Sequence, residues 1–590
     1  MSRGRIRYDP RVAQNEVHPT TGRQMKRFVL LVTLAACARE LRSTNPDNWI
    51  ELQSEHFVLR TDLPQEEARK AVADLELVRK ALLAAGWSSA HPSPAKIVVI
   101  ALAGGREVNE FLSEVLEGIS LYGVFDERLV FVDGGGDLTD SQLVKHEVTH
   151  ALAYDLLVTN PRWVQEGLAS YFETLEIDRS KGQAARGKAD WHRLYYLRFH
   201  PTDRQSLYPY VPRIEWSTHI LGPDSARLGM DGYAFETLSW LLVHWLIDMD
   251  GDRFNRFLTR LAHGDSTWSA FNGVYPELDE PRLKAELHEL ELHPSRMRQA
   301  SFRFQPWSGG IALRRLPAAE VHALRAELFL FGSAGTSAQL RQQFGKEIAV
   351  SKAIDPANPL ALALDGSDPG PAIQAHPDDW RSWTLWHQKN PSDIASIRKA
   401  AELAPDNAMV LALLALAEQK RGEKEAAVRH GEEALRMSPR FFAFDALAQI
   451  YDGNGRCKDA VTAEQRAIDA LTDAADPKLL ARFRERLMDI ATRCGRRDLT
   501  ASMKTMEVEP VLKSCRQPMR LLSEQARGVT SEFTIREDGT VTAVVIKGAK
   551  SDDVARSLRR FIESCTFEPV IVDGRVRQLQ ATIDLGDFMR

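Results

Sequence analysis

The sequence predicts a multidomain protein of the α+β class, because its residue pattern changes twice along 590 residues. In the first half, strand-like apolar runs are interspersed with amphipathic helical stretches, and beyond it Ala and Leu recur at helical spacing. Near the carboxyl end the pattern returns to the two-residue period of strands. We therefore expect domains over 45–300, 317–500 and 508–590, with the Pro- and Gly-containing stretch Arg303 to Leu316 as a linker.

The first predicted domain contains three strand-like runs and an early helix. Trp49 to Asp62 predicts a strand that ends at a turn, Gln65 to Ala85 a helix, and Ala95 to Leu102 a buried strand. Leu129 to Asp133 predicts a further strand, which ends just before three consecutive glycines. These elements predict a small sheet packed against helices.

The segment His146-Glu147-Val148-Thr149-His150 predicts a metal site. Residues four apart lie on one face of a helix, so His146 and His150 can bind one ion while Glu147 reaches a bound water. Catalytic zinc takes three protein ligands and keeps one position for water, and Glu166 in the next helix is the natural third ligand. The alternative is a surface helix with two chance histidines, since such a match arises in roughly a few of every hundred chains of this length.

The motif is followed by Pro161-Arg-Trp-Val-Gln-Glu-Gly-Leu-Ala-Ser-Tyr171, where Asn160 and Pro161 predict the start of a second helix. The combination resembles the gluzincin metallopeptidases, in particular the peptidase-MA-like group. The resemblance implies that Zn²⁺ is held by His146, His150 and Glu166 and that Glu147 is the general base. It also implies that Leu129 to Asp133 is an edge strand that binds an extended peptide substrate. An internal core strand is the alternative.

A gluzincin also needs a hydrogen-bond donor for the oxyanion, which usually comes from a Tyr or His on a later helix. Tyr233 is the best match by position, although a core tyrosine at a helix start is an alternative. His219 and His244 are weaker candidates. Ser170 and Asp155 are placed where either side chain could orient a metal ligand.

The amino-terminal sequence predicts export. Met25-Lys-Arg27 precedes a short apolar run to Ala36, which is typical of a signal peptide and too short to span a bilayer as a helix. Leu34-Ala-Ala-Cys37 resembles a bacterial lipobox, so we expect residues 1–37 to be a leader that starts at Met25, with Cys37 as the lipidated first residue. Ala38 resembles the residue after Cys in outer-membrane lipoproteins. The expected location is the periplasmic side of the cell envelope, with a lipid anchor in the membrane. An apolar strand with a stray Cys is the alternative.

Four further cysteines are Cys457, Cys494, Cys515 and Cys565. An oxidising compartment permits two bridges with three possible connectivities, of which 457–494 and 515–565 keep each bridge within one predicted domain. The net charge of −5 and the absence of a basic run argue against nucleic-acid binding.

Two resemblances concern the later domains. Pro405 and Pro439 lie 34 residues apart, with Gly422 and Gly455 at matching points, which resembles tetratricopeptide repeats that bind a peptide or partner protein. Generic helical hairpins without a groove are the alternative. The last segment resembles the TonB carboxy-terminal domain in the order of its elements. These are two strands around Asp538-Gly539, a helix over Ser551 to Ser564, Phe567-Glu-Pro569, Asp573-Gly574 and a final strand through Leu585. No transmembrane energy-coupling helix accompanies it, so we do not expect a transducer role.

Two functions follow from these patterns. The first is a membrane-anchored periplasmic zinc metalloendopeptidase that hydrolyses envelope proteins and recruits a substrate or partner through its repeats. The second is a non-enzymatic envelope adaptor that uses only the repeats. The intact His146, Glu147, His150 and Glu166 favour the first.

Overall fold

The computed structural model confirms the mixed α+β class. Met25, Cys37 and His219 lie outside the residues that it describes, as do Pro569 and the Asp573-Gly574 pair. Within the described part, no helix combines the length and apolarity needed to cross a membrane. The structure describes residues 45–87, 92–103, 108, 110–111, 119–125, 127–134, 136–198, 211, 214, 216, 220–221, 232–331, 338–471, 477–496, 512–515, 526, 528–568, 571–572, 575–576 and 579–585.

A six-stranded sheet organises the first part of the chain. Strands β2 (Phe57–Thr61), β3 (Ile97–Leu102) and β5 (Arg128–Asp133) run parallel, and α1 (Gln65–Gly86) makes the crossover from β2 to β3. The remaining strands pair antiparallel with their neighbours. The spatial order is β4 (Ile119–Tyr122), β5 (Arg128–Asp133), β3 (Ile97–Leu102), β2 (Phe57–Thr61), β1 (Ile50–Gln53) and β9 (Ala312–Arg315).

Three predictions about these segments are wrong. The single strand expected over Trp49 to Asp62 is a hairpin of β1 and β2, because the chain turns at residues 54–56. The strand at Leu129 to Asp133 is not an edge strand, since β5 pairs with β3 on one side and β4 on the other, which leaves β4 as the edge. The linker expected over Arg303 to Leu316 instead includes β9, which extends the sheet.

The central strands β3 and β5 are buried on both faces, which explains the continuous apolar run in β3. Because side chains alternate along a strand, Val99 and Val130 point into one core with α1 and the helices that follow β5. Ile100 and Phe131 point into a second core, which Leu324, Phe329 and other helical residues between positions 318 and 365 complete. The boundary predicted at residue 317 therefore divides this second core.

The first core also holds the helices on which the candidate site lies. A small sheet of β6 (Glu176–Asp178), β7 (Gln183–Arg186) and β8 (Ala300–Arg303) lies beside them. The helices are α2 (Gln142–Leu156), α3 (Arg162–Glu173), α4 (Trp191–Arg198), α5 (Gly232–Ala262, kinked at Asp250), α6 (Thr267–Val274) and α7 (Glu280–Leu292).

The third quarter of the chain is helical, as predicted. Consecutive helices pack as hairpins, and Gly422 and Gly455 take left-handed φ values of 82° and 72° at the turns. A Cys457–Cys494 disulfide joins the start of the helix Cys457–Asp469 to the end of the helix Pro477–Arg493. The helices are α8 (Ala318–Phe331), α9 (Ala338–Ile354), α10 (Pro359–Asp365), α11 (Gly370–Ala375), α12 (Trp380–Lys389), α13 (Ile394–Leu403), α14 (Ala408–Lys420), α15 (Lys424–Met437), α16 (Phe441–Gly453), α17 (Cys457–Asp469) and α18 (Pro477–Arg493).

The last segment folds around a three-stranded sheet. Its spatial order is β12 (Val541–Lys547), β11 (Thr530–Ile535) and β16 (Leu579–Asp584). Gly539 has a φ of 83° at the predicted turn, and an added Cβ would lie 2.0 Å from the Phe567 carbonyl oxygen, so only glycine fits. The Cys515–Cys565 disulfide is formed. The elements are β10 (Leu512–Cys515), β11 (Thr530–Ile535), β12 (Val541–Lys547), α19 (Asp552–Glu563), β13 (Cys565–Phe567), β14 (Ile571–Val572), β15 (Arg575–Val576) and β16 (Leu579–Asp584).

Candidate metal centre

Helix α2 presents the histidines of the motif on the face opposite its core contacts. Ser141 caps the helix by accepting a hydrogen bond from the Val144 amide. Four apolar residues at helical spacing are buried against the first core: Val144, Val148, Ala151 and Leu152. His146 and His150 are only partly buried, so their rings remain available to a ligand.

Helix α3 brings Glu166 to the same place. Its N-cap is Pro161 and not Asn160, one residue later than the sequence predicts. Trp163 anchors the helix by stacking on Phe257, with ring centroids 5.6 Å apart. At Gly167 an added Cβ would lie 2.7 Å from a backbone oxygen of α5, so this glycine permits the close helix contact that fixes the position of Glu166.

Three ligand atoms converge between the two helices. His146 Nε2 and His150 Nε2 are 3.1 Å apart, and Glu166 Oε2 lies 3.7 Å from the first and 3.5 Å from the second. Tetrahedral zinc with bonds of about 2.0–2.2 Å has ligand atoms roughly 3.3 Å apart, so these separations fit zinc. Among the described residues, His146, His150 and Glu166 form the one group of metal-binding side chains with this convergence.

Glu173 fixes the orientation of His146. Its Oε2 lies 2.8 Å from His146 Nδ1, and because an ionised carboxylate only accepts, Nδ1 carries the proton and Nε2 keeps its lone pair for a metal. Arg193 holds Glu173 in turn, with its Nε and Nη2 donating to Oε1 at 3.0 and 2.8 Å. Glu173 is not among the residues predicted from the sequence. Its position seven residues after Glu166, two turns along the same helix, is the signal that would have indicated it.

The electrostatics of the centre favour a cation. Although burial opposes both shifts, hydrogen bonds to Glu166 and Glu173 raise the pKa of His146 to about 10, and the two histidines hold the pKa of Glu166 well below its usual range. A positive charge between these groups, either a proton or a metal ion, is therefore strongly stabilised. Burial raises the pKa of Glu147, which makes its carboxylate a better proton acceptor.

Tyr233 lies at the start of α5 and is 40% exposed. Its ring packs against Tyr196 at 4.8 Å and covers the Arg193 guanidinium at 5.3 Å. The contacts therefore link it to His146 through Arg193 and Glu173. Its role as an oxyanion donor stays a prediction.

The other candidates differ in their placement. His244 is fully buried against the rings of Tyr171 and Trp240, so it is a packed histidine. Asp155 pairs with Arg128 of β5 and not with a histidine of the centre. The buried Ser170 hydroxyl has no hydrogen-bond partner among the described residues. Neither of the last two forms a hydrogen bond with a histidine of the centre, whereas Glu173 bonds to His146.

Two further residues near the centre were not identified from the sequence. Tyr154 follows His150 by one helical turn, and the carboxylates of Glu166 and Glu147 add to the effect of burial in raising the pKa of its hydroxyl. Glu236 lies one turn after Tyr233 on α5, with its carboxylate 3.9 Å from Arg193 Nη1. Spacing of three or four residues from a known site residue is the signal in both cases.

Residues 141–265 match the family described as "Protein of unknown function (DUF1570)". This stretch begins at the cap of α2 and includes the three candidate metal ligands and Glu147, Glu173, Arg193 and Glu236. No curated protein matches the chain. The match therefore delimits the segment that carries the candidate centre without assigning it an activity.

Proposed function

We propose that the protein is a zinc-dependent endopeptidase of the gluzincin type that is anchored in the cell envelope and faces the periplasm. The observation that carries the proposal is the convergence of His146 Nε2, His150 Nε2 and Glu166 Oε2 at 3.1–3.7 Å, with Glu147 beside them. A chance pair of histidines on a surface helix would not be expected to gain both a third ligand from another helix and a carboxylate on Nδ1.

The residues divide the work of peptide hydrolysis. When bound, zinc supplies a water of lowered pKa and polarises the scissile carbonyl. Glu147 takes the proton of the attacking water and passes it to the leaving amine, for which its buried, raised-pKa carboxylate is suited. Glu173 keeps the Nδ1 proton of His146 in place, and Arg193 holds Glu173.

The remaining parts of the chain would select the substrate. The helical hairpins from α12 to α18 support a tetratricopeptide-like array that recruits a protein substrate or partner. The hairpin, helix and final strand of the last segment support a TonB-like carboxy-terminal domain. Lipidation of Cys37 would tether the whole assembly to the membrane, and both disulfides suit an oxidising compartment.

The decisive experiment combines metal content with one isosteric variant. Purified protein should contain about one zinc per chain, which a chelator removes together with hydrolysis of unstructured peptides. Glu147→Gln should keep the zinc and lose hydrolysis, because its carboxylate acts on water and does not ligate the metal. Metal-free, correctly folded protein without activity would favour the envelope adaptor, and full activity in Glu147→Gln would exclude this residue as the base.

A further inference from the structure

Glu236 occupies a specific place beside the candidate centre. Helices α3 and α5 run in the same direction, because Arg162 lies over the Phe235 ring near their starts, Gly167 meets Ser239 in the middle, and Tyr171 meets His244 further along. Glu236 therefore lies at the level of the first turn of α3, just before Glu166. Its side chain is 31% exposed, so solvent can reach the carboxylate.

The carboxylate of Glu236 is only weakly compensated by the protein. Arg193 Nη1 lies 3.9 Å away, at the limit of an ion pair, while Nε and Nη2 of the same guanidinium are committed to Glu173 at 3.0 and 2.8 Å. Burial and the charge of Glu166 both raise the pKa of Glu236, as expected for a carboxylate close to other carboxylates. Glu236 does not belong to the converging metal-binding group among the described residues.

Acidic side chains also line a neighbouring surface, which meets the centre at Glu173. A cavity of about 610 Å³ extends from Glu173 along the start of α2 and the β6–β7 hairpin. Its described lining contains five carboxylates, Glu176 and Asp190 among them, against two lysines, Lys145 and Lys188.

We infer that Glu236 is a specificity-determining residue that binds a positively charged group of the substrate next to the scissile bond. This inference rests on the proposed peptidase function and names its substrate class, peptides with an ammonium or guanidinium group at the cut site. A partly exposed carboxylate with one distant cation gains a close charge-assisted partner only when such a substrate binds. The group is either a Lys or Arg side chain or a free amino terminus.

The test compares peptides that differ by one charge. A peptide with Lys near the cut site, located by mass spectrometry, is compared with the same peptide carrying acetyl-lysine, and each is made with a free and an acetylated amino terminus. Wild-type protein should favour the charged form by roughly 10-fold or more in kcat/KM, and Glu236→Gln should remove most of this preference. Asp252→Asn, on the exposed far part of the same helix, is the matched charge control.

The peptide pairs distinguish the two sources of charge. If kcat/KM depends on the lysine charge with either form of the amino terminus, Glu236 binds a side chain. If kcat/KM depends on the free amino terminus, Glu236 binds the terminal ammonium group. An unchanged preference in Glu236→Gln, or equal losses with both members of a pair, would overturn the inference.

Binding supplies a readout that needs no turnover. In zinc-loaded Glu147→Gln, the Kd for the charged peptide should be lower than for its acetylated form, and adding Glu236→Gln should equalise the two values. Charge-dependent binding without hydrolysis in the wild type would refute the peptidase proposal and keep the cation site. Hydrolysis without charge dependence would keep the peptidase and refute the cation site.

Discussion

Replacing Glu173 by Gln tests whether Glu173 orients the His146 ring for metal binding. The carboxylate accepts from His146 Nδ1 at 2.8 Å through one oxygen and from Arg193 at 2.8 and 3.0 Å through the other. An amide has one oxygen acceptor, so the variant can satisfy His146 or Arg193 but not both. It also removes the negative charge that favours the Nδ1 proton and the basicity of Nε2.

The expected loss is 10- to 100-fold in zinc affinity, the range found when the partner of a metal-binding histidine is removed, or about 1.4–2.7 kcal/mol. A second cost falls on stability. Arg193 is buried, and its other carboxylates, Asp190 and Glu236, lie at 3.6 and 3.9 Å, so they compensate only part of its charge. The variant should therefore also unfold at a lower temperature than the wild type.

Zinc affinity is measured by competition with a fluorescent chelator at neutral pH, on protein shown by circular dichroism to be folded. Glu176→Gln is the matched control, because Glu176 lies three residues later and pairs with Lys188 on the surface. It should leave the affinity unchanged. Wild-type affinity in folded Glu173→Gln would refute the assignment of Glu173 as the residue that orients His146.

Three further perturbations address the scaffold. Burial raises the pKa of Glu327 to about 7 in the folded protein. Protonation of Glu327 therefore adds roughly 3 kcal/mol to the free energy of unfolding below pH 4.5, and this contribution is lost as pH rises through 7. Glu327→Gln should flatten that part of the profile of thermal unfolding against pH, and an unaltered profile would exclude Glu327. Gly167→Ala should lower stability by about 1–3 kcal/mol and weaken zinc binding, because the added methyl would lie 2.5 and 2.7 Å from atoms of α5. Gly345→Ala is the control, since a methyl added there meets no atom within 4 Å. Replacing Cys457 and Cys494 by Ser opens a bridge of 37 residues and should cost up to about 4 kcal/mol in urea unfolding, with no further effect of a reductant at this site.

Most helices and strands and the candidate metal ligands could be predicted from local sequence patterns. The i, i+4 spacing of His146 and His150, with Glu166 on the next helix, predicted a cluster that the fold does bring together. The two disulfide pairs followed from proximity along the chain, because each closes within one helical or strand unit. The Asp538-Gly539 turn and the helix after it were also predictable, since turn and cap residues act over a few positions.

The missed turn at residues 54–56 and the N-cap of α3 are local errors, whereas the others concern contacts between distant segments. Whether Leu129 to Asp133 is central or an edge depends on β4, and an apolar run fits either position. That β9 joins β1, more than 250 residues earlier, cannot be read from local composition. The second core, shared between β3, β5 and α8, likewise depends on which helices cover the sheet.

The sequence by itself determined the side chains available for metal chemistry at the candidate centre, namely two histidines and a glutamate at helical spacing and a second glutamate on the next helix. Only the tertiary structure decided which groups support that chemistry. Glu173, Arg193 and Glu236 come from three helices whose packing, set in part by the absence of a side chain at Gly167, places them around His146. Ligand spacing is fixed by the geometry of one helix, whereas supporting contacts depend on how helices pack together.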